Sequence, residues 1–92
     1  MGVRVRIPAP LRSVTEGQGL VEVAEGDLES CLVELEGRFP SMRTRLRDEE
    51  GGLRRFVNLY LNGEDVRFLQ GLETRVNTGD ELSIIPAVAG GA

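Results

Sequence analysis

The chain has no histidine, no lysine and no tryptophan, and only one cysteine and one tyrosine among its 92 residues. Without histidine it lacks the usual general base and the commonest ligand of transition metals. Its lone Cys31 cannot form a disulfide within the chain, which fits a reducing compartment. Because no lysine offers an ε-amino group, the chain is the donor in any isopeptide conjugation and never the acceptor. We expect no catalytic activity of its own, no bound metal and no bound cofactor.

Long apolar runs and excess positive charge are also absent. No stretch approaches the roughly 18 apolar residues of a membrane span, and the amino terminus lacks the apolar core of a secretory signal. The formal net charge is -4, although all eleven basic residues are arginine, a bias that a GC-rich genome would also produce. Nucleic-acid phosphates require a positive surface. We expect one soluble, cytoplasmic domain that binds neither nucleic acid nor membranes.

Alternation of apolar and polar residues predicts most of the secondary structure. The predicted strands are 3–7, 20–24, 56–61 (the longest), a short strand 66–68, and 81–86. The first two form a hairpin, Asn62-Gly63 is a turn, and 70–78 is a connection with one tight turn. In the last strand Leu82 and Ile84 face inward, whereas Ile85 faces outward.

One main helix is predicted to begin after the N-cap Asp27 and to end at Pro40. Its apolar stripe consists of Leu28, Cys31, Leu32, Leu35 and Phe39, and its water-facing side of Glu34, Glu36 and Arg38. Since Cys31 lies in the stripe, we interpret it as a buried apolar residue and not a reactive thiol. A second helical turn, 41–47, buries Met42 and Leu46. The loop 48–52 follows, and its Gly51-Gly52 pair indicates flexibility rather than phosphate binding.

This order of elements predicts an α+β fold of the β-grasp (ubiquitin-like) type, a mixed sheet of four to five strands around one main helix. The first and last strands would pair in parallel at the centre of the sheet. We expect the domain to comprise residues 1–86 and to continue into a flexible Gly-Gly tail, residues 87–92.

The tail has a possible chemical use. Glycines carry no Cβ, so Gly90-Gly91 could enter a narrow channel and present a main-chain carboxylate to an enzyme. Ala92, however, follows the pair. The alternative is an ordinary frayed terminus of small residues.

Three blocks of sequence resemble the MoaD/ThiS family of ubiquitin-like sulfur carriers: 56–62 (FVNLYLN), 77–82 (NTGDEL) and 86–91 (PAVAGG). The blocks 55–58, 64–68 and 86–91 are most similar to the family's carriers of actinobacterial cysteine biosynthesis. The resemblance covers essentially the whole chain up to Gly91. It implies a sulfur carrier with a C-terminal thiocarboxylate, made by an E1-like (MoeB/ThiF-type) adenylyltransferase that uses ATP and magnesium.

In that chemistry Gly91 is the site of adenylation and thiocarboxylate formation. Gly90 keeps the tail slim, and Val88 and Pro86 set its direction. The sulfur would pass to a pyridoxal-phosphate-dependent, cysteine synthase-like enzyme or to another sulfur-accepting synthase.

Ala92 departs from the family pattern, since most members end at the second glycine. Some relatives are trimmed by a JAMM-type zinc metalloprotease, so Gly91 and Ala92 are the expected processing site. The alternatives are an artificial extra residue or an inactive paralogue that serves as a binding module.

Docking of partners is expected to use an apolar patch near the tail, with Ile85 first. The resemblance adds Leu61 and Ile7, although the alternation points Ile7 inward. Ordinary core or surface positions are the alternative for all three. Glu64 and Asp65 could meet a basic partner, or form an exposed turn. For the whole chain the competing hypothesis is a ubiquitin-like interaction or protein-modifier domain without sulfur transfer.

Overall fold

The computed structural model of the protein describes residues 2–86. Its strands are β1 (Val3–Arg6), β2 (Leu20–Val23), β3 (Gly26–Asp27), β4 (Val57–Leu61), β5 (Glu64–Asp65), β6 (Arg75–Val76) and β7 (Glu81–Pro86). Its α-helices are α1 (Leu28–Arg38) and α2 (Ser41–Leu46), and short 3₁₀ helices cover Ala9–Leu11, Val66–Phe68 and Gly71–Glu73.

The main sheet has the strand order β2-β1-β7-β4-β5. β1 pairs antiparallel with β2 and parallel with β7, with Val5 opposite Leu82. β4 pairs antiparallel with the other edge of β7. The last strand is therefore central, and the predicted mixed β-grasp sheet is confirmed.

Helix α1 covers one face of this sheet. Asp27 caps it by accepting a hydrogen bond from the Ser30 backbone N–H at 2.8 Å, as predicted. The helix contributes Leu28, Cys31, Leu32 and Leu35 to the core, where they meet inward residues of the strands such as Leu59, Leu82 and Ile84. Burying each large aliphatic side chain stabilises the fold by about 1.5–3 kcal/mol. Helix α2 closes the core with Met42 and Leu46, also as predicted.

Glu36, predicted to face water, is buried instead. Its carboxylate accepts a hydrogen bond at 2.7 Å from Nε of Arg47, whose side chain is only 3% exposed. The same guanidinium donates to Glu29 at 3.0 Å and to the Gly51 carbonyl at 3.0 Å. A buried carboxylate is tolerated when it is paired in this way. The ion pair joins α1 to the end of α2.

Three other predictions need correction. Residues 66–68 form a 3₁₀ helix and not a strand, and the short strand is Glu64–Asp65. Asp65 is buried rather than part of an exposed turn, because it caps that helix by accepting the Arg67 N–H at 2.9 Å. β7 is longer than β4, with six residues against five.

The connection 70–78 holds more structure than was predicted. Its strand β6 pairs with β3 in a separate two-stranded sheet, with Gly26 opposite Val76. Strands of two residues have no detectable period, so no pattern could reveal them. The predicted turn at Asn62-Gly63 is confirmed, with φ of 52° and 89°.

Candidate functional site

The candidate site is the carboxyl end of β7, where the chain leaves the sheet. Pro86 lies opposite Val57 of β4, at the end of the ladder that joins the two strands. A proline is tolerated there because its missing N–H costs little at a strand terminus. The other tail positions, Val88, Gly90, Gly91 and Ala92, lie outside the described residues. Pro86 thus marks a fixed exit point for whatever follows it.

The three proposed docking residues have different environments. Ile85 points away from the core, opposite Asn58, and is 44% exposed, so its outward orientation is confirmed. Ile7 is 0% exposed and belongs to the core. Its assignment as a docking residue was wrong, because strand alternation places it on the same face as Val3 and Val5. Leu61 is partly buried and packs against the core edge. Ile85 is the most exposed of the three side chains.

The outer face of the sheet carries two ion pairs, one at the start of β7 and one near Asn58, the residue opposite Ile85. Glu81 accepts a hydrogen bond from Arg6 at 2.8 Å, and this bond lowers the pKa of the Glu81 carboxyl. Arg67 is paired with Asp65 at 3.0 Å and also donates to Asn58. Its hydrogen bonds lower the pKa of Asp65. The exposed Arg6–Glu81 pair contributes little stability. Arg67, which reaches the residue opposite Ile85, is the charged group close to that side chain.

A tight turn lies next to the exit point. The Val57 N–H donates to the Arg54 carbonyl at 3.0 Å, and the Arg54 N–H donates to the Leu46 carbonyl at 2.8 Å. The turn places Arg55 and Phe56 at its corner, both exposed. The sequence predicted Phe56 as the first residue of a strand, but the strand begins at Val57, and neither Arg55 nor Phe56 was assigned a role. The available signal was an Arg-Arg-Phe run just before a strand antiparallel to the last one.

Cys31 has no accessible chemistry. It is 1% exposed, its Sγ lies 3.6 Å from the Ala24 carbonyl oxygen, and burial raises the pKa of its thiol. A protonated, buried thiol is a poor nucleophile, so its interpretation as a core residue is confirmed.

Residues 2–86 contain neither a cluster of metal-ligating side chains nor a helix that could span a membrane. No three His, Cys, Asp or Glu side chains in this range lie close enough to hold a metal ion. None of the helices described there is long and apolar enough to cross a membrane.

A five-stranded mixed sheet around one helix, with the C-terminal strand at its centre, defines a ubiquitin-like β-grasp protein. The chain belongs to the ThiS family, whose model matches residues 5–91. This confirms the family resemblance read from the three sequence blocks.

Individual relatives agree with this assignment. The chain is 45% identical to the sulfur carrier protein CysO of Mycobacterium tuberculosis over 93 residues, covering 99% of this chain and 100% of the relative. It is 31% identical to small archaeal modifier protein 3 of Haloferax volcanii, over 99% of this chain and 100% of that one. The solved BexX/CysO complex of Amycolatopsis orientalis contains a similar chain, with a TM-score of 0.89, 45% identity and coverage of 97% and 99%.

Proposed function

We propose that this protein carries sulfur as a thiocarboxylate on Gly91, formed after Ala92 is removed. The carrier role rests on the family and on 45% identity to a sulfur carrier along the whole chain. One observation favours Gly91 as the reactive terminus: the family model ends at residue 91 and leaves Ala92 outside the match. Removal by a JAMM-type zinc metalloprotease would expose the glycine carboxylate.

Activation requires a partner enzyme, because a carboxylate is a poor electrophile. In the proposed reaction the Gly91 carboxylate attacks the α-phosphorus of ATP, and pyrophosphate leaves. A sulfur donor then attacks the acyl carbon, and AMP leaves. The E1-like adenylyltransferase would supply the nucleotide site and the magnesium. This chain would supply the terminus and hold it out from the domain.

The fold is suited to presenting the chain terminus to a partner enzyme. β7 is held on both edges, by β1 and by β4, up to the pairing of Pro86 with Val57. A tail that starts from a central strand has a fixed origin, which reduces the entropy lost when it enters a channel. Ile85, at the same strand end, is the proposed apolar contact with the enzyme.

The sulfur acceptor is proposed as a pyridoxal-phosphate-dependent, cysteine synthase-like enzyme or another sulfur-accepting synthase. A similar carrier chain has been crystallised in complex with BexX, which supports recognition of the folded domain by a partner protein. The proposal places the protein in the cytoplasm, in a pathway such as cysteine biosynthesis.

The test is an ATP–pyrophosphate exchange assay with the adenylyltransferase of the same organism. We expect the chain ending at Gly91 to support exchange and the matched chain that keeps Ala92 to be inactive. Equal activity of both chains would refute the need for trimming. Inactivity of both would refute activation of this carrier.

A second candidate function is protein modification. It is favoured by the 31% identity to small archaeal modifier protein 3 over nearly the whole chain. The activated Gly91 would then form an amide with a lysine of another protein, since this chain has none. Mass spectrometry of tryptic digests from the native host would reveal lysines that carry the C-terminal peptide of this chain. Their absence under conditions that yield thiocarboxylate would favour the carrier function alone.

A further inference from the structure

The end of the central strand is bordered on its β4 side by basic and aromatic side chains. Because Val57 lies opposite Pro86, the turn before β4 borders the place where the tail leaves the sheet. Phe56 at the corner of this turn is 53% exposed. Arg67, from the 3₁₀ helix after β5, reaches across to Asn58. We call Arg54, Arg55, Phe56 and Arg67 the exit collar.

The collar borders a groove of about 240 Å³. Its rim includes the side chains of Arg54, Arg55 and Arg67, and its floor reaches the apolar core residues Val57, Leu59 and Val66. A groove with an apolar floor and a cationic rim suits a ligand that combines carboxylates with apolar groups.

The collar's positive charge is not fully neutralised within the described chain. Asp65 is engaged by Arg67. Asp48, in the adjacent hollow beside Arg54 and Arg55, accepts the backbone N–H groups of Glu50 and Gly52. Within residues 2–86, Arg55 has no hydrogen bond or ion pair, and Arg54 Nε donates only to the Thr44 carbonyl. Arg54 also borders a hollow lined by Asp48, Glu49 and Glu50, so the positive charge of the collar that has no carboxylate partner within residues 2–86 is that of Arg55.

The short length of the tail limits how far from the collar the activating enzyme can bind. Fully extended, residues 87–91 reach at most about 18 Å beyond Pro86. An enzyme that encloses Gly91 in a nucleotide site must therefore bring the mouth of its channel close to the strand end. The collar lies beside this strand end, on its β4 side, where such a mouth would contact it.

We propose that the exit collar docks on an acidic, partly apolar rim around the channel through which the adenylyltransferase admits the tail. This inference rests on the proposed function. Arg55 would pair with a carboxylate of the rim, and Phe56 would cover apolar surface beside it. Charge complementarity of this kind speeds encounter and selects the partner.

The test measures ATP–pyrophosphate exchange by the adenylyltransferase of the same organism with chains that end at Gly91. We expect Arg55→Glu to raise KM for the carrier about tenfold at low salt with little change in kcat. The difference should shrink as salt approaches about 1 M, where the Debye length is about 3 Å. Phe56→Ala should raise KM in a manner that depends little on salt.

Arg75→Glu is the matched control. It makes the same charge change on an exposed arginine of β6, in the separate small sheet. Thermal melts would verify that each variant folds, and the milder Arg55→Gln would replace Arg55→Glu if the latter did not. Equal KM values for the Arg55 variant and the Arg75 variant would overturn the docking role of the collar and leave the proposed function intact. No exchange with the parent chain would overturn the proposed function, and the collar with it.

Discussion

Arg47 and Arg55 lie close together in the sequence but have opposite environments. The guanidinium of Arg47 is buried and bound by Glu36, Glu29 and the Gly51 carbonyl. Arg55 is exposed and has no such partner within residues 2–86. The same residue type thus stabilises the fold at one position and presents charge to the surroundings at the other. The difference shows that an arginine's role depends on the carboxylates packed around it.

The two environments are physically connected. The backbones of Arg47 and Leu53 form an isolated antiparallel β-bridge, and the Arg54 N–H donates to the Leu46 carbonyl. The segment that carries Arg55 and Phe56 is therefore attached at its base to the end of α2. The buried Arg47–Glu36 ion pair therefore helps to position the segment that carries Arg55.

The largest expected effect comes from breaking the buried pair. Arg47→Met should lower the free energy of unfolding by about 3 kcal/mol, because the buried Glu36 loses its hydrogen-bonded partner and keeps only the more distant Arg43, at 3.7 Å. Urea denaturation measures this change. The double variant Arg47→Met with Glu36→Leu should recover a large part of the loss. A loss below about 0.5 kcal/mol in the single variant would show that the pair is unimportant for the fold.

Ile7 and Ile85 provide the same comparison of a buried with an exposed residue, here between uncharged side chains. Ile7→Val should cost about 1 kcal/mol, since it removes a methylene from a fully buried site. Ile85→Val, on the exposed face, should leave the free energy of unfolding nearly unchanged. If both variants lost the same stability, Ile85 would be a core residue and not a docking residue.

Acid should weaken the fold through its hydrogen-bonded carboxylates. The Ser30 N–H lowers the pKa of Asp27, and Arg67 lowers that of Asp65. A carboxyl whose folded pKa is depressed stabilises fully above its unfolded pKa of about 3.9, and the effect disappears as pH falls through the folded value. Thermal melts should therefore show Tm falling below about pH 4. Asp65→Asn should make the fall of Tm with pH less steep. An unchanged dependence of Tm on pH would contradict a contribution of the Asp65 carboxylate to stability.

The smallest stability effect is expected at the exit collar. Arg55→Ala should change the free energy of unfolding by less than about 0.5 kcal/mol, as for most surface substitutions. Urea denaturation beside Arg47→Met provides the direct comparison. A larger loss would mean that Arg55 supports the fold, and its KM effect would then need another explanation.

The four longer strands of the main sheet, β1, β2, β4 and β7, could be predicted well because their periods are clear, whereas the two-residue strand β5 could not. Val3 and Val5 alternate with Arg4 and Arg6, and β7 alternates in the same way, so faces and order followed from residue type. Ile7 shows the strength of this physical signal, since periodicity placed it inward correctly while the family resemblance suggested docking.

Features that depend on tertiary contacts could not be predicted in this way. The burial of Glu36 requires Arg47, which follows a different helix, and a single-helix pattern contains no information about that partner. The position of Arg55 and Phe56 beside the exit depends on the register between Val57 and Pro86. Such a register is visible only when the strands are paired.

The central claim concerns the chemistry of Gly91, and intact mass tests it most directly. The protein would be purified from its native host without a C-terminal tag and measured before and after thiol alkylation, in a Cys31→Ser background. We expect a species that lacks alanine, carries one oxygen-to-sulfur exchange and gains one alkyl group. A full-length, unreactive species from cells grown under sulfur demand would contradict the account.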